Sequence, residues 1–184
     1  MKGLVKSHGV RDLPPELLVV DAGKGATLRL AEPDEYDRVG GILVRAFETN
    51  GPMSQLYRRR LTSIAQRSES EDIWVISSED GDLYGACTTV KPERWDRPYF
   101  EFNTMGVAPE GRSRGFGRLF VSHSIGLARA FGFGRVLIHS GPNMVPAHWL
   151  YEKCGFERHP ELETLVVDGG QRLLVYTYDL DSSR

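Results

Sequence analysis

The chain has 184 residues, of which 40% are hydrophobic and 26% charged, a composition that suits one domain with an apolar core and a hydrophilic surface. Its net charge of −2 argues against a general nucleic-acid partner, because binding to a phosphate backbone needs a far more basic surface. The two cysteines, Cys87 and Cys154, are too few for a disulfide framework and favour a reducing, cytoplasmic location.

The N-terminal residues 1–25 mix glycine, proline and charge with one short apolar patch, and we expect them to form an extension or cap on a domain of residues 26–184. They lack the apolar core of a signal peptide. No apolar run in the chain approaches the roughly 20 residues that span a bilayer. We therefore expect neither secretion nor a membrane partner.

Hydrophobic periodicity and turn residues divide the rest of the chain into strands and helices. The elements predicted before the midpoint are a strand at 27–30, a helix from 32 to about 47, a helix around 56–64, a hairpin of strands 73–76 and 83–90, and a strand at 99–107. Those predicted after it are a helix from about 117 to 131, a strand at 135–139, a helix at 145–153, and strands at 162–167 and 173–180 that close the sheet. The strand, helix, strand order around residue 125 predicts a parallel crossover.

The segment 107–118 reads Val-Ala-Pro-Glu-Gly-Arg-Ser-Arg-Gly-Phe-Gly-Arg, in which a strand ends in a turn and a helix begins. Free backbone N–H groups at a helix start bind anions, and glycines at 115 and 117 let a diphosphate approach the main chain. Arginines at 112, 114 and 118 add positive charge. Such a turn can also serve packing alone. A dinucleotide-binding fold is disfavoured, because its glycines follow the first strand.

A second segment, 151–156, reads Tyr-Glu-Lys-Cys-Gly-Phe. Together with Arg112-x-x-Gly115-x-Gly117 and the lead-in Val107-x-Pro109, it makes the chain resemble the GCN5-related N-acetyltransferase (GNAT) superfamily from about Thr27 to Leu180. The resemblance implies an α/β (α+β) fold with a single domain. Its central sheet would be mixed, mostly antiparallel and of about seven strands, with a splay between parallel fourth and fifth strands (β4/β5) and four helices.

The resemblance also implies acetyl-CoA as co-substrate, with no metal. Its diphosphate would lie on the main chain of Arg112, Ser113, Arg114, Gly115, Phe116, Gly117, Arg118 and Leu119. Its pantetheine would lie in the splay, beside Met105, Gly106 and Val107. The superfamily often has asparagine seven residues before the tyrosine, but this chain has Met144 there, so the neighbouring Asn143 is the candidate, with Ala147 four before the tyrosine as a further contact.

The strand at 100–107 is expected to alternate, with Glu101, Asn103, Met105 and Val107 on one face and Phe100, Phe102 and Thr104 on the other. Gly106 within the strand predicts a β-bulge that loosens pairing with the next strand. By resemblance, the N–H groups of Met105 and Val107 would bind pantetheine and polarise the thioester carbonyl.

Two catalytic residues follow from the resemblance. Glu101 stands where histone-acetylating members hold a glutamate general base, although a structural ion pair with Arg97 explains it equally well. A base is needed because an alkyl ammonium with a pKa near 10.4 is neutral in only about one molecule in 10³ at pH 7. Tyr151 matches the tyrosine that protonates the leaving thiolate; the alternative is a tyrosine packed in the core. His139 and His148 either line the acceptor site or are structural.

The predicted function is acetyl transfer from acetyl-CoA to a primary amine by direct attack in a ternary complex. The alternatives are a non-catalytic acyl-CoA-binding regulatory module and a transferase of a longer acyl group. Small-molecule amines, including aminoglycosides, and peptide N-termini all remain open as acceptors, and a homodimer is possible. Arg58, Arg59 and Arg60 are interpreted as a solvated helix face, with the cofactor 3′-phosphate as the alternative partner for one of them. The regions that build acceptor sites mix acids with bases: Glu48, Glu93 and Glu163 with Arg58 and Arg94.

Overall fold

A computed structural model of the chain describes residues 9–180 and shows one α/β domain built on a mixed sheet. Eight strands in the order β1-β2-β3-β4-β5-β6-β10-β7 form this sheet, and β8 and β9 form a separate two-stranded hairpin. The strands are β1 (Val19–Gly23), β2 (Ala26–Leu30), β3 (Glu71–Ser78), β4 (Leu83–Val90), β5 (Phe100–Val107), β6 (Arg135–Ser140), β7 (Glu157–Arg158), β8 (Val166–Val167), β9 (Gln171–Arg172) and β10 (Leu174–Asp179).

Six α-helices lie within residues 9–180: α1 (Pro15–Leu18), α2 (Tyr36–Glu48), α3 (Gln55–Thr62), α4 (Ile64–Arg67), α5 (Phe116–Ala130) and α6 (Val145–Lys153). Four of them have eight or more residues and match the four predicted helices, while α1 and α4 are single turns of four residues. None of the helices of residues 9–180 has the length and apolar character of a membrane span.

The sheet has a hydrophobic cluster on each face, because side chains alternate along its strands. On β3, Ile73 and Val75 pack with α2, whereas Trp74 and Ile76 pack with α5 on the opposite face. The domain therefore has three layers, with the sheet in the middle.

The end of the sheet differs from the sequence prediction. The segment 162–167 was expected to close the sheet, but β8 pairs only with β9, and the last strand of the sheet is β7. The reason is that β10 has two neighbours, β6 and β7, and both of its edges are already paired. The strands β8 and β9 therefore pair only with each other, outside the main sheet.

The N-terminal extension contributes an edge strand. Val19–Gly23 pairs antiparallel with β2, and Leu17 and Leu18 pack against the α5 side of the core. The remaining parts of the predicted extension and of the C-terminus, residues 1–8 and 181–184, lie outside the described residues. The division of the chain at residue 25 stays a prediction.

The splay between the two parallel strands is present. β5 and β6 pair only at Phe100 with Val136 and at Glu101 with Leu137, although both strands continue beyond these residues. These strands are the fifth and sixth of the chain because the extension adds β1. Beyond the paired residues, the main-chain groups of β5 and β6 that face each other do not form hydrogen bonds between the two strands.

A β-bulge in β5 lies opposite Cys87 of β4. Thr88 pairs with Asn103 and Ala86 pairs with Gly106, so Thr104 and Met105 face a single residue. Thr104 has a φ of 47°, which is uncommon for a β-branched residue. The extra residue reverses the alternation that the sequence predicted: Met105 and Val107 pack against the same cluster as Phe100 and Phe102.

Gly106 lies beside the bulge and has a packing role. A Cβ at this position would stand 3.0 Å from Ala46 Cβ and 3.2 Å from Leu43 Cδ2, so the absence of a side chain lets α2 pack closely on β5. Arg67 holds the bulge from the α2 side. Its Nη2 donates to Thr104 Oγ1 at 2.9 Å, to Thr88 Oγ1 at 2.8 Å and to Glu71 Oε2 at 2.6 Å.

The Arg67–Glu71 ion pair predicts a large stability loss for Glu71→Gln. The two side chains are only 9% and 13% exposed, so the substitution leaves a buried guanidinium without its carboxylate, which costs about 3 kcal/mol. Glu48→Gln is the matched control, because its pair with Arg58 is 47% exposed on both sides and is worth at most about 1 kcal/mol. Guanidinium chloride unfolding measures both, and equal shifts of the midpoint would contradict the expectation.

Candidate active site

A cavity of about 1980 Å³ runs along the open side of the β5–β6 splay. This is larger than the roughly 300–1,000 Å³ that one drug-sized ligand occupies, so it has room for two reactants. Its walls come from the start of α5, from β5 and β6, from α3 and α6, and from the β8–β9 hairpin. Of the residues that the sequence singled out, Glu101, Met105, Gly106, Val107, Arg112, Ser113, Gly115, Phe116, Gly117, Arg118, Asn143, Ala147, His139 and Tyr151 line it.

The start of α5 presents unpaired amides to this cavity. Gly115 is the N-cap residue, with a φ of 86°, and no described side chain caps the helix there. The first hydrogen bond of the helix joins Leu119 N to Gly115 O at 3.0 Å. The amides of Phe116, Gly117 and Arg118 therefore have no partner within the helix, and the helix dipole adds positive potential. These groups fit a diphosphate.

Leu119 and Arg114 do not line the cavity among the described residues. The amide of Leu119 donates to Gly115 O inside the helix. The Arg114 guanidinium lies 4.3 Å from the Tyr84 ring centre and 4.7 Å from that of Phe116, and it donates to Lys24 O. Arg114 thus packs this turn against the β1–β2 connection.

Arg112 lies between α2 and the turn that precedes α5. Its Nη2 donates to Thr49 Oγ1 at 2.8 Å, and its side chain lines the cavity. Arg118 also lines the cavity, and its charge acts on the neighbouring Cys154 thiol. Arg112 and Arg118 therefore supply the positive charge at this end of the cavity.

Glu101 lies at the vertex of the splay with two polar partners. Its Oε1 is 2.8 Å from His139 Nδ1, and its Oε2 accepts from Arg97 Nη1 at 3.2 Å. The side chains of Glu101 and His139 are only 14% and 15% exposed. The expected alternative, a pair with Arg97, is present, yet the carboxylate still lines the cavity.

His139 was singled out in the sequence only as one of two strand-end or helix histidines. The structure separates them. His139 follows the paired part of β6 and reaches Glu101, whereas His148 lies against Tyr176 and its Nε2 is 3.0 Å from Gly141 O. Burial lowers the pKa of His148. His139 is the fifth residue of β6, the strand that runs parallel to the one that carries Glu101. The sequence predicted this parallel arrangement but not its register, and the register is what brings His139 to Glu101.

Tyr151 reaches the cavity from α6 while its ring is buried among Phe102, Phe156 and Tyr176. Burial raises the pKa of its hydroxyl well above the usual value. The phenol therefore stays protonated and is suited to donate a hydrogen bond. Tyr151 therefore packs in the core and also lines the cavity.

Asn143 and Ala147 line the opposite wall, where β6 leads into α6. Asn143 Nδ2 donates to Asn50 O at 2.9 Å, which ties this loop to the end of α2. Within residues 9–180, no group of three or more His, Cys, Asp or Glu side chains is arranged to hold a metal ion.

The sequence matches a model of the acetyltransferase (GNAT) family over residues 37–156. The match spans more than half of the chain, and the chain belongs to this family as an acyl-CoA-dependent N-acyltransferase. No curated protein matches the chain.

Solved structures with the same fold include a spermidine N-acetyltransferase from Vibrio cholerae in complex with CoA and spermine, at 18% identity and a TM-score of 0.62, covering 86% of this chain and 98% of that one. An acetyltransferase of the GNAT family from Staphylococcus aureus Mu50 has 12% identity and a TM-score of 0.69, covering 84% and 99%. At these identities the likeness is one of fold.

The two cysteines are predicted to differ in reactivity. Burial raises the pKa of the Cys87 thiol to about 12, while Cys154 lines the cavity and is partly exposed, with a smaller rise. The thiolate is the reactive form of cysteine, and at pH 8 only about one Cys87 thiol in 10⁴ is ionised. In the native protein, a disulfide reagent should modify one thiol, and Cys154→Ser should abolish that reaction until the protein is unfolded. Fast labelling of Cys154→Ser would contradict this assignment.

Proposed function

We propose that this protein transfers the acetyl group of acetyl-CoA to a primary amine by direct attack in a ternary complex. The observation that carries the proposal is the meeting of three features in one cavity. The unpaired amides at the start of α5 lie at one end, and Glu101 with His139 lies at the vertex of the splay. Tyr151 faces the same space.

Acetyl-CoA fits the residues that are present. The amides of Phe116, Gly117 and Arg118 would hold the diphosphate, helped by the charges of Arg112 and Arg118. Each such charge interaction is worth only about 0.3–2 kcal/mol, so several must act together. Met105, Gly106 and Val107 would hold pantetheine with main-chain groups that β6 does not pair. Asn143 and Ala147 would close the opposite wall.

The thioester supplies an acyl carbon that a neutral amine attacks. In this proposal Glu101 removes the proton of the acceptor ammonium, directly or through water, and its contact with His139 keeps the carboxylate directed into the cavity. The new C–N bond forms as the C–S bond breaks, and the proton that the attacking nitrogen loses ends on the departing sulfur, which leaves as the thiol of coenzyme A. Tyr151 donates a hydrogen bond to the departing sulfur. An amide of the bulge, that of Met105, would stabilise the carbonyl oxygen.

Two alternatives to this function are testable. A module that binds acyl-CoA without turnover would show cofactor binding but no release of thiol with any amine. A transferase of a longer acyl group would prefer acyl-CoA substrates with more carbons. Calorimetry with acetyl-CoA, followed by a thiol-release assay against an amine panel, separates the three. Absence of any acetyl-CoA binding would reject the proposal.

Tyr151→Phe removes the hydroxyl and keeps the buried ring. We expect kcat to fall about 10–10³-fold while affinity for acetyl-CoA changes little, because the hydroxyl acts on the leaving sulfur and not on the bound cofactor. Steady-state kinetics and calorimetry measure the two effects. An unchanged kcat would remove the proposed role of Tyr151.

Glu101→Gln is expected to lower kcat/KM about 10²–10⁴-fold near pH 7. The difference in kcat/KM between the variant and the native enzyme should decrease as the pH rises toward about 10, because the acceptor amine then loses its proton without a base. Glu161→Gln is the matched control, since Glu161 also contacts a histidine, His159, at 2.7 Å but lies outside the cavity. A defect that is constant across pH would point to a structural role for Glu101.

A further inference from the structure

The cavity is strongly asymmetric in charge. Among the described residues, two carboxylates line it, Asp96 and Glu101, against seven cationic side chains: Arg59, Arg60, Arg94, Arg97, Arg112, Arg118 and Lys153. Two of the acids in the regions that build acceptor sites are paired outside the cavity. Glu48 pairs with Arg58 and Glu163 with Arg158, and neither of these acids lines the cavity.

The cations fall into two groups along β5. Arg112, Arg118 and Lys153 lie at the phosphate end, where coenzyme A brings its own anionic groups. Arg94 and Arg97 line the cavity from the segment that precedes β5, and Arg97 donates to Glu101 at the vertex. The strand from Glu101 to Val107 rises about 3.3 Å per residue, so its two ends are at most about 20 Å apart.

The remaining two cations, Arg59 and Arg60, line the cavity from α3, which packs on α2 through the edge contact of the Tyr57 ring with Phe47. Neither Arg59 nor Arg60 forms an ion pair with a described residue.

We infer, on the basis of the proposed function, that the acceptor is a small amine that also carries an anionic group, a carboxylate or a phosphate. Its ammonium lies at Glu101 and its anion meets the arginines of α3 and of the 94–97 loop. A polyamine is disfavoured, because its second and third ammonium groups would meet arginines and no further buried carboxylate. Exposed Leu56, Leu165 and Val167 line the same cavity and suit an apolar body between the two charges.

The test compares amines that differ only in the anion. Each of a set of amino acids, including phenylalanine, is assayed beside its amide, phosphoethanolamine is assayed beside ethanolamine, and spermidine is included. The amide of an amino acid has the lower amine pKa and more free amine at pH 7, so a preference for the acid form reports recognition of the anion. We expect at least one anion-bearing member to exceed its neutral partner about 10-fold in kcat/KM, and spermidine to be poor. The phosphate and carboxylate arms identify which anion is bound.

Variants then locate the anion. Arg60→Gln should raise KM for the preferred acceptor about 10-fold, the effect of one lost charge-assisted hydrogen bond, and leave KM for acetyl-CoA within about twofold. Arg58→Gln is the control on the same helix, because Arg58 pairs with Glu48 and does not line the cavity. An Arg60→Gln defect confined to acetyl-CoA would assign this arginine to the cofactor 3′-phosphate and overturn the inference.

The remaining outcomes separate this inference from the proposed function. Faster turnover of spermidine or of the amides than of the anion-bearing amines overturns the inference and leaves the acetyltransferase function standing. Binding of acetyl-CoA without turnover of any panel member also counts against the inference. Absence of acetyl-CoA binding instead rejects the proposed function itself.

Discussion

Two residue pairs, Phe100 with Val136 and Glu101 with Leu137, hold the parallel strands β5 and β6 together, and the strands then separate. A ladder of ordinary length would satisfy these main-chain groups within the protein. Because the ladder stops, a cavity opens between the strands, and main-chain donors and acceptors of β5 are left for a bound molecule. The positions of Glu101 at the vertex, of the α5 amides at the open end and of Tyr151 on the facing helix all follow from this divergence.

The bulge in β5 is held from one face of the sheet by a buried polar cluster. Arg67 connects Thr104 of the bulge with Thr88 of β4 and Glu71 of β3. Thr104 is held at a positive φ, a conformation that persists only where surrounding contacts fix it. Gly106 then lets α2 approach. The shape of the cavity wall is thus set by residues that do not all touch the cavity, and Arg67 is one of them.

Much of this organisation was predictable from local sequence. The hydrophobic periodicities located the four longer helices and most strands, and the glycines at 115 and 117 located the turn that begins α5, because these patterns act over a few residues. The alternation of β5 was predicted wrongly after Asn103. The bulge reverses the phase at Thr104, whose side chain accepts a hydrogen bond from Arg67, a residue 37 positions away in the chain. The free hairpin of β8 and β9 was missed for a related reason, since it depends on which strands occupy the edges of β10.

The sequence by itself determined the family, the order of the elements and the identity of the groups that could bind a diphosphate or move a proton. It indicated a mixture of acids and bases around the acceptor site. The tertiary structure decided which of these charges face the cavity, because ion pairs such as Arg58 with Glu48 withdraw both partners from it. It also decided that His139, and not His148, meets Glu101. Charges act through space over a few ångströms, and a linear pattern does not contain those distances.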